Sequence, residues 1–305
     1  MISIIIPTYK RGDIFYECIE SVVDSVGLLD EIIVVNDFKE KELDLDQIDR
    51  KGKKVKVINN PKQGVASARN YGAKYAKGDV LLFIDDDMLI NSDAIEKCLE
   101  TLKSSDKLVV NADWIYFPKE LERIKDSQFG RYLVSIDFTS LKGWNNGLNW
   151  QENSTIKANG ITSQFFMIQK KDFEFLGGYN ENFPFAGFED SELYVRIKNS
   201  GYQPIIDTRC LIYHNEKDRM DLKPFLDRKY RGAVTRRKAV DLGFDDFVLE
   251  YSYKKKIYYI GLEKVESILR FLIEKIPNNK LFDNLYAKLV NQQIGLNIYK
   301  GYTAE

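Results

Sequence analysis

Short apolar runs alternate with helical patterns over the first 110 residues of the chain. The runs are rich in β-branched residues and predict four strands, at residues 2–6, 31–35, 54–58 and 80–84. Pro7 would end the first strand, and Asp13 would cap the helix that follows. A second helix would run over residues 64–77 and end at Gly78. Continuous apolar strands separated by helices are typical of a mostly parallel sheet with helices on both faces.

The pattern changes further along the chain. Residues 113–160 are rich in aromatic, Asn and Gly residues and are only weakly periodic, which is typical of a functional loop or lid. A strand at about 163–169 and a helix at about 190–200 follow, and Gly201 would end this helix. A further apolar strand ends at His214.

The composition is that of an ordinary globular protein. Of the 305 residues, 44% are hydrophobic and 30% are charged, which excludes a disordered or collagen-like chain. The 45 basic and 46 acidic residues leave a net charge of -1, so no basic field over the whole chain points to nucleic acid as a partner. Residues 215–305 hold 18 basic and 13 acidic residues, a net charge of +5, and residues 1–214 therefore carry -6.

The cysteines and the N-terminus predict a cytoplasmic protein. Cys18, Cys98 and Cys210 are far apart in the sequence and form no C-x-x-C pair, which argues against a disulfide framework and a structural zinc site. The first residues lack the basic and long apolar segments of a signal peptide. No apolar stretch approaches the ~20 residues needed to span a bilayer.

The strongest chemical signal is a run of three carboxylates, Asp85 to Asp87, directly after the fourth predicted strand. Ligands bind at the carboxyl ends of the strands in open α/β sheets, and Mg²⁺ or Mn²⁺ would relieve the repulsion between these carboxylates. A solvated acidic turn is the alternative interpretation. His214 is the single histidine, and it is either a structural residue or a ligand that would favour Mn²⁺ over Mg²⁺.

A second acidic pair, Glu189 and Asp190, begins a predicted helix beside the aromatic segment 183–188. Acidic residues in a first helical turn stabilise the helix dipole and need no further purpose. The functional interpretation is that one carboxylate acts as a general base while its neighbour binds a hydroxyl group.

Motifs in a fixed order make residues 1–214 resemble a known enzyme family. The first set is SIIIPTY at 3–9, VVND at 34–37, GVASARN at 64–70 and FIDDD at 83–87. It closely resembles the nucleotide-sugar half of family 2 glycosyltransferases with the GT-A fold. The second set is GGYNENF at 177–183, GFEDSEL at 187–193 and Tyr213-His214. It resembles the galactosyltransferase-type C-terminal segment that chondroitin-synthase-like enzymes and polypeptide GalNAc-transferases also carry.

The resemblance implies a fold and a domain organisation. The fold would be α/β of the GT-A type, a Rossmann-like and mostly parallel sheet with helices on both faces, plus a C-terminal helical extension. Residues 1–110 would form the nucleotide-sugar-binding half, residues 111–214 the acceptor-binding and catalytic half, and residues 215–305 the extension.

The resemblance also implies roles for individual residues. The donor would be bound by Pro7, Thr8, Tyr9, Asp37, Arg69, Asp85 and Asp86. The metal, Mn²⁺ or Mg²⁺, would be held by Asp87 and His214. Asp190 would be the catalytic base, and Glu189 would hold the acceptor or the donor sugar.

These roles predict an inverting, metal-dependent glycosyltransferase. It would move a sugar from a nucleoside-diphosphate sugar, with UDP-sugar as the expected donor, to a hydroxyl of a glycan or of a lipid-linked saccharide. Residues 113–160 would then be a lid on the acceptor side, partly mobile without ligands, with hinge freedom at Gly143, Gly147 and Gly160.

Two segments depart from the family pattern. Phe38 and Lys39 stand where the usual Gly-Ser follows the acidic pair, so the turn after Asp37 differs. Ala186-Gly187-Phe188 stands where Trp-Gly usually precedes Glu-Asp, so the wall that faces the sugar would be reshaped.

Three other functions fit the sequence less well. A sugar-nucleotide pyrophosphorylase would need an early Gly-rich phosphate loop with Arg and Lys, which the sequence lacks. A haloacid-type phosphatase would carry its Asp-x-Asp at the first strand, whereas Asp85–Asp87 follows the fourth. A nucleotide-sugar-binding protein without transferase activity would not need Asp87, Asp190 and His214 together.

The tail carries an apolar stripe at helical spacing after the basic run Lys254–Lys256. The stripe consists of Ile257, Gly261, Lys264, Val265, Ile268, Leu269, Leu272 and Ile273. It would pack on the catalytic domain or on a second subunit of a homodimer. Alternatively, it would dock on an anionic membrane, which would place the protein at the inner face of the cell membrane.

Overall fold

A computed structural model describes residues 1–40, 42–145, 149–183, 185–217 and 221–304. The strands within these ranges are β1 (Ile2–Thr8), β2 (Glu31–Asn36), β3 (Lys54–Asn59), β4 (Val80–Ile84), β5 (Met88–Leu89), β6 (Leu108–Tyr116), β7 (Thr155–Lys157), β8 (Phe165–Gln169) and β9 (Gln203–His214).

Helices of very different length connect and follow these strands. They are α1 (Asp13–Ser25), α2 (Val65–Tyr75), α3 (Ser92–Lys103), α4 (Pro118–Ile124), α5 (Gln128–Ser135), α6 (Leu141–Trp144), α7 (Lys170–Phe175), α8 (Glu189–Asn199), α9 (Leu222–Asp241), α10 (Tyr253–Lys264), α11 (Glu266–Lys275) and α12 (Asp283–Thr303). None of the helices in the described ranges is both long and apolar enough to cross a membrane.

The chain divides into two compact units. The sheet unit consists of Met1–Pro118, Thr139–Asn182 and Glu189–Glu216. The helical unit consists of Lys119–Phe138, Phe183–Phe188 and Lys217–Glu305, so it takes in two segments that precede residue 215.

The sheet unit is built on strands in the order β3-β2-β1-β4-β8-β6-β9-β5, with β7 added on β9. The strands β3, β2, β1 and β4 pair in parallel, as the apolar runs of β1, β2 and β4 predict. β8 then runs antiparallel between β4 and β6. β1 and β4 are buried along their whole length, whereas the edge strand β3 exposes alternate lysines, which blunts an open sheet edge.

Two local sequence predictions are wrong for steric reasons. Pro7 lies inside β1 rather than after it, because β1 pairs with β4 only as far as Ile5 and one side of the strand at Pro7 needs no N–H. Gly78 does not cap α2, which ends at Tyr75. A Cβ atom on Gly78 would lie 2.7 Å from the backbone of Met1 and Ser3, so glycine is required there by close packing.

The segment 113–160 is not one continuous loop. Its first residues complete β6, residues 118–135 hold α4 and α5, and the remainder contains α6 and β7. Phe129, Tyr132 and Leu133 of α5 lie at i, i+3 and i+4 and are buried in the core of the helical unit, so this part of the segment has a helical period that the prediction of a weakly periodic loop missed. Gly143 and Gly160 lie in the sheet unit, and Gly147 lies outside the described residues.

The core of the helical unit lies between α5, α9, α11 and α12. Phe225 of α9, Leu269 and Ile273 of α11 and Tyr286 and Val290 of α12 are buried in it. In the sheet unit, Cys98 and Cys210 come together although they are distant in sequence, with their Sγ atoms 3.8 Å apart as buried thiols.

Candidate active site

The carboxyl ends of β1, β2 and β4 meet at one edge of the sheet, because these strands are parallel neighbours. The backbone N–H of Asp37, after β2, donates to the carbonyl oxygen of Thr8 at the end of β1, 2.9 Å away. The Thr8 hydroxyl donates to Asp86, after β4, at 2.7 Å. Three segments that the sequence separates therefore share one hydrogen-bonded edge.

An aromatic surface lies beside this edge. Tyr9 remains 43% exposed, and its ring meets the ring of Phe38 edge to face, with the centroids 5.6 Å apart. Lys10 has a left-handed backbone (φ 53°), and its Nζ lies 4.4 Å from the Phe38 ring centroid. Phe38, which departs from the family pattern, thus places a second ring beside Tyr9, one of the residues predicted to bind the donor.

Asp37, which precedes Phe38 in the chain, is buried. Its carboxylate accepts hydrogen bonds from the Gly64 backbone at 3.1 Å and from the Asn60 amide at 2.6 Å. Burial raises its pKa, and these donors oppose the rise. The hydrogen bonds hold the carboxylate in place, and Pro7, near the end of β1, is also buried.

Asp86 is a buried anchor within the acidic run. It accepts from Thr8 and, at 3.0 Å, from Nε of Arg11, whose other nitrogen pairs with Asp87. Burial raises the pKa of Asp86 to about 6, although Arg11 lowers it. Arg11 was missed from the sequence, because a single arginine after a strand has no recognisable pattern.

Asp87, His214 and Glu216 form a buried group of possible metal ligands. One ligand atom from each lies within 4.8 Å of the others. The imidazole Nε2 is 3.3 Å from Asp87 and 3.4 Å from Glu216. Burial lowers the pKa of His214, but the two carboxylates more than offset this, so its pKa is raised.

The sheet positions this group. Met88 of β5 pairs with His214 of β9, and the Asn215 N–H donates to the Asp87 carbonyl at 2.8 Å. Residues two apart in an extended segment face the same side, so Glu216 follows His214 into the group. Glu216 was missed from the sequence, although a His-x-Glu spacing at a strand end predicts that both side chains lie on the same side.

The surroundings of His214 leave its Nε2 directed at the carboxylates. Gln164 lies 3.2 Å from Nδ1, on the opposite side of the ring. Trp114 and Tyr116 of β6 pack edge to face against the imidazole, at centroid distances of 5.2 and 5.5 Å. Two carboxylates and one oriented imidazole form a donor set that fits Mn²⁺ better than Mg²⁺.

Arg69 of α2 crosslinks the second acidic pair to the acidic run. This buried guanidinium donates to Glu189 at 2.9 Å and to Asp85 at 2.7 Å. Glu189 is buried, whereas the Asp85 side chain is 31% exposed. The two carboxylates therefore share one guanidinium group, and Asp85 remains partly accessible to solvent.

Asp190 has a different environment from Glu189. It accepts from the backbone N–H of Ser163 at 3.0 Å and from the Ser163 hydroxyl, which is also 2.7 Å from the Tyr179 hydroxyl. Burial raises the pKa of Asp190 to about 7; Arg69 and the Ser163 donors oppose this, and Glu189 adds to it. A carboxyl group with a pKa near neutrality can accept a proton during a reaction.

Adjacent residues join the two parts of the site. Ser163 holds Asp190, and Gln164, the next residue, contacts His214. All eleven residues predicted for the site lie in the sheet unit. Hydrogen bonds link Thr8, Asp37, Asp86 and Asp87 at one end, and Arg69, Asp85 and Glu189 at the other. Tyr9 joins them only through ring contacts.

Two family models match the sequence. The model of glycosyl transferase family 2 matches residues 3–174, and the model described as the N-terminal domain of galactosyltransferase matches residues 152–216. An uncharacterized glycosyltransferase of Haemophilus influenzae is 33% identical over 127 residues, which cover 41% of this chain and 41% of that protein. The inactive polypeptide N-acetylgalactosaminyltransferase-like protein 5 of Macaca fascicularis is 28% identical over 208 residues, 64% of this chain and 45% of that one. The chain thus spans less than half the length of these curated relatives.

Solved structures of low sequence identity share the fold. GalNAc-T7 with UDP, GalNAc and Mn²⁺ matches with a TM-score of 0.53 and 17% identity, over 70% of this chain and 43% of that chain. The mannosyltransferase PcManGT from Pyrobaculum calidifontis, in complex with GDP-Man and Mn²⁺, matches with a TM-score of 0.56 and 14% identity, over 100% of this chain and 88% of that chain. At these identities the likeness concerns the fold alone.

Proposed function

The chain belongs to glycosyl transferase family 2, and from this premise we propose that it transfers a sugar from a nucleoside-diphosphate sugar to an acceptor hydroxyl with inversion at the anomeric carbon. Its fold is the GT-A fold that the sequence predicted. The donor in this proposal is a UDP-sugar, and the acceptor is a glycan or a lipid-linked saccharide.

The donor binds along the edge formed by β1, β2 and β4. Tyr9 and Phe38 stack on the base, and Asp37 accepts a hydrogen bond from it. Asp85, which is partly exposed and paired with Arg69, contacts the ribose or the sugar. Asp86 acts indirectly, because the hydrogen bonds that it accepts from Thr8 and Arg11 hold the donor-binding residues in position.

Asp87, His214 and Glu216 would hold the divalent ion. When bound there, Mn²⁺ supplies a positive charge that stabilises the diphosphate as it leaves. Gln164 keeps the imidazole oriented. Arg11 pairs with the carboxylate oxygen of Asp87 that does not face His214.

Asp190 is the general base. The acceptor oxygen bonds to the anomeric carbon from the face opposite the diphosphate, and the acceptor proton passes to Asp190. The bond between the anomeric carbon and the diphosphate oxygen breaks at the same time, and the diphosphate leaves with the electron pair. Glu189, paired with Arg69, holds a sugar hydroxyl or keeps Arg69 in place.

One observation carries this proposal. Two consecutive residues, Ser163 and Gln164, hold the carboxyl group with a pKa near 7 and the imidazole of the metal-ligand group. A rigid backbone link between a base and a metal-ligand group is expected where both must act on one bound molecule.

Release of nucleoside diphosphate, measured with and without acceptors, tests the proposal. A preliminary screen of nucleotide sugars with Mn²⁺ for thermal stabilisation would identify the donor, and stabilisation by GDP-sugars alone would contradict the UDP assignment. Acceptor-dependent release supports transfer, whereas release that no acceptor changes indicates hydrolysis.

The alternative is a nucleotide-sugar-binding protein without transferase activity. One of the matched relatives is named as inactive, so sequence similarity of this degree does not separate the two functions. Donor binding without diphosphate release, over a wide panel of acceptors, would favour this alternative. Localisation in the cytoplasm stays a prediction from the cysteine content.

A further inference from the structure

The helices α10 and α11 of the helical unit form one nearly continuous run, with Val265 as the only residue between them. The Leu269 N–H donates to the Val265 carbonyl at 3.0 Å, so helical hydrogen bonding resumes at the junction. Val265 itself is not helical (φ -114°, ψ 16°), so residues 253–275 are placed on one idealised projection, at about 100° per residue, that joins two helices across a break.

One side of this run packs on α12. The ring of Tyr259 stacks on Tyr299 with the centroids 5.1 Å apart, and Leu269 and Ile273 are buried in the core that includes Val290. Glu266 adds a 2.9 Å hydrogen bond from Lys300. These contacts occupy the inward side of the run and leave the opposite side without a place in the core.

The opposite side is apolar as well. Eleven residues fall within an arc of about 140° on the projection, and all of them are exposed. They are Tyr253, Lys254, Ile257, Ile260, Gly261, Lys264, Val265, Ile268, Phe271, Leu272 and Lys275. Seven of the eleven are apolar, and we call this set the outer stripe.

The exposure of the outer stripe is large for apolar residues. Tyr253 is 78% exposed, Ile268 is 57% exposed and Phe271 is 55% exposed. A helix that is apolar on two sides is expected where both sides are covered. The tail stripe predicted from the sequence is thus divided, with Leu269 and Ile273 inside the unit and Ile257, Ile268 and Leu272 outside it.

The charge of the outer stripe has one sign. Its charged residues are Lys254, Lys264 and Lys275, and no acidic residue lies within the arc. Glu263 and Glu274 lie just beyond its edge, and Glu263 is 3.9 Å from Lys300. A positive and apolar surface is complementary to a surface that is anionic outside and apolar beneath.

We propose that the outer stripe docks on the surface of an anionic lipid bilayer. Lysines are depleted in the centres of protein–protein interfaces, whereas here they alternate with isoleucine and phenylalanine along the same stripe. On a bilayer, their aliphatic stems lie along the apolar region while the ammonium groups reach the headgroups. The exposed rings of Tyr253 and Phe271 supply the aromatic area that interfacial helices insert at the membrane surface.

Co-sedimentation of the full chain with vesicles tests this proposal. Vesicles of phosphatidylcholine alone and vesicles that also contain phosphatidylglycerol are compared, each at low and at high salt. We expect binding to the anionic vesicles at low salt and a marked loss at high salt, because lysine attraction is screened. No donor or acceptor is present, so failure here leaves the proposed transferase activity untouched.

Paired variants separate the apolar from the electrostatic contribution. Ile268→Ser with Phe271→Ser removes apolar area, and Lys264→Glu with Lys275→Glu reverses two charges. Each pair should lower the partition coefficient more than about tenfold, since each basic residue contributes about fivefold. Leu29→Ser and Lys171→Glu, at exposed sites of the sheet unit, are the matched controls and should bind as the wild type does.

Three outcomes would overturn the proposal. They are no binding at low salt, equal binding to neutral vesicles, and binding that neither pair of substitutions weakens. Analytical ultracentrifugation without vesicles tests the other explanation, that a second copy of this chain binds to the outer stripe. If the wild type is a dimer and Ile268→Ser with Phe271→Ser is a monomer, the outer stripe is a subunit interface instead of a membrane surface.

Discussion

The two ends of the candidate site treat their carboxylates differently. At the metal end, Asp86 and Asp87 pair with Arg11, and Asp87 and Glu216 face the imidazole of His214. At the base end, Glu189 is neutralised by Arg69, while the neighbouring Asp190 receives hydrogen bonds only from Ser163. Arg69 thus pairs directly with Glu189, whereas it acts on the next residue of the helix, Asp190, only through space.

The difference indicates how one fold would provide both the proposed cation site and the proposed base. Carboxylates that face cationic groups stay ionised and attract further cations. Burial raises the pKa of Asp190 to about 7, because the neutral Ser163 donors and the more distant Arg69 offset the loss of solvation only in part; a carboxylate with such a pKa accepts a proton near neutral pH. If substitutions at the two ends had the same effects, the carboxylates at the two ends would not differ in their chemistry.

Asp190→Asn is expected to have the largest effect. It keeps shape and hydrogen bonding but removes proton acceptance, so kcat should fall by about 100-fold to 10,000-fold while donor binding persists. Initial rates and donor titrations measure both quantities. The exposed substitution Asp106→Asn is the control, and turnover near the wild-type rate in Asp190→Asn would refute the assignment.

The same variant makes a separate prediction about stability. The folded-state pKa of Asp190 lies above its unfolded value, so its contribution to stability is present at low pH and is lost as the pH rises through about 7. Above that pH, Asp190→Asn should therefore melt at the same or a higher temperature than the wild type. A large fall in Tm would indicate that the carboxylate is structural.

The metal end is tested next by His214→Ala and Glu216→Gln. Each removes a ligand from the group, and Mn²⁺ affinity should fall more than about 100-fold, because even outer contacts change affinity by about 10–100-fold. Titration calorimetry with Mn²⁺ in the presence of UDP measures this. Glu250→Gln, at an exposed site, is the control, and unchanged affinity in His214→Ala would return His214 to a structural role.

Gln164→Leu should have a smaller effect on the same quantity. It removes the contact on Nδ1 of His214, so the imidazole loses its fixed orientation and Mn²⁺ affinity should fall by about 10–100-fold. Gln203→Leu, at the far end of β9, is the control. A wild-type affinity in Gln164→Leu would show that the aromatic neighbours of His214 orient it sufficiently.

The smallest expected effect is a shift in pH dependence. The base must be ionised, so kcat/KM should fall as the pH drops below about 7. Glu189→Gln removes a negative charge that raises the pKa of Asp190, and should move this acid limb to lower pH by roughly one unit. Glu174→Gln, which is exposed, should leave the limb in place; a shift to higher pH in Glu189→Gln would contradict the electrostatic account.

Much of the sheet unit could be predicted from local sequence. Continuous β-branched runs identify β1, β2 and β4 because fully buried strands have no polar positions to interrupt them. Asp37 and Asp85–Asp87 could be placed at one edge because parallel neighbours have their carboxyl ends together. These features depend on residues close in the chain, and periodicity and strand direction are enough to infer them.

The other contacts of the site, and the division of the tail stripe, depend on packing between segments that are distant in sequence. Glu216 joins Asp87, Arg11 reaches the acidic run, and Ser163 and Gln164 connect Asp190 with His214, all through contacts between segments far apart in sequence. The apolar stripe of the tail could not be divided into buried and exposed sides beforehand, because periodicity shows that a face is apolar but not what covers it. One side of the run formed by α10 and α11 packs on α12, and the outer stripe on the other side stays exposed.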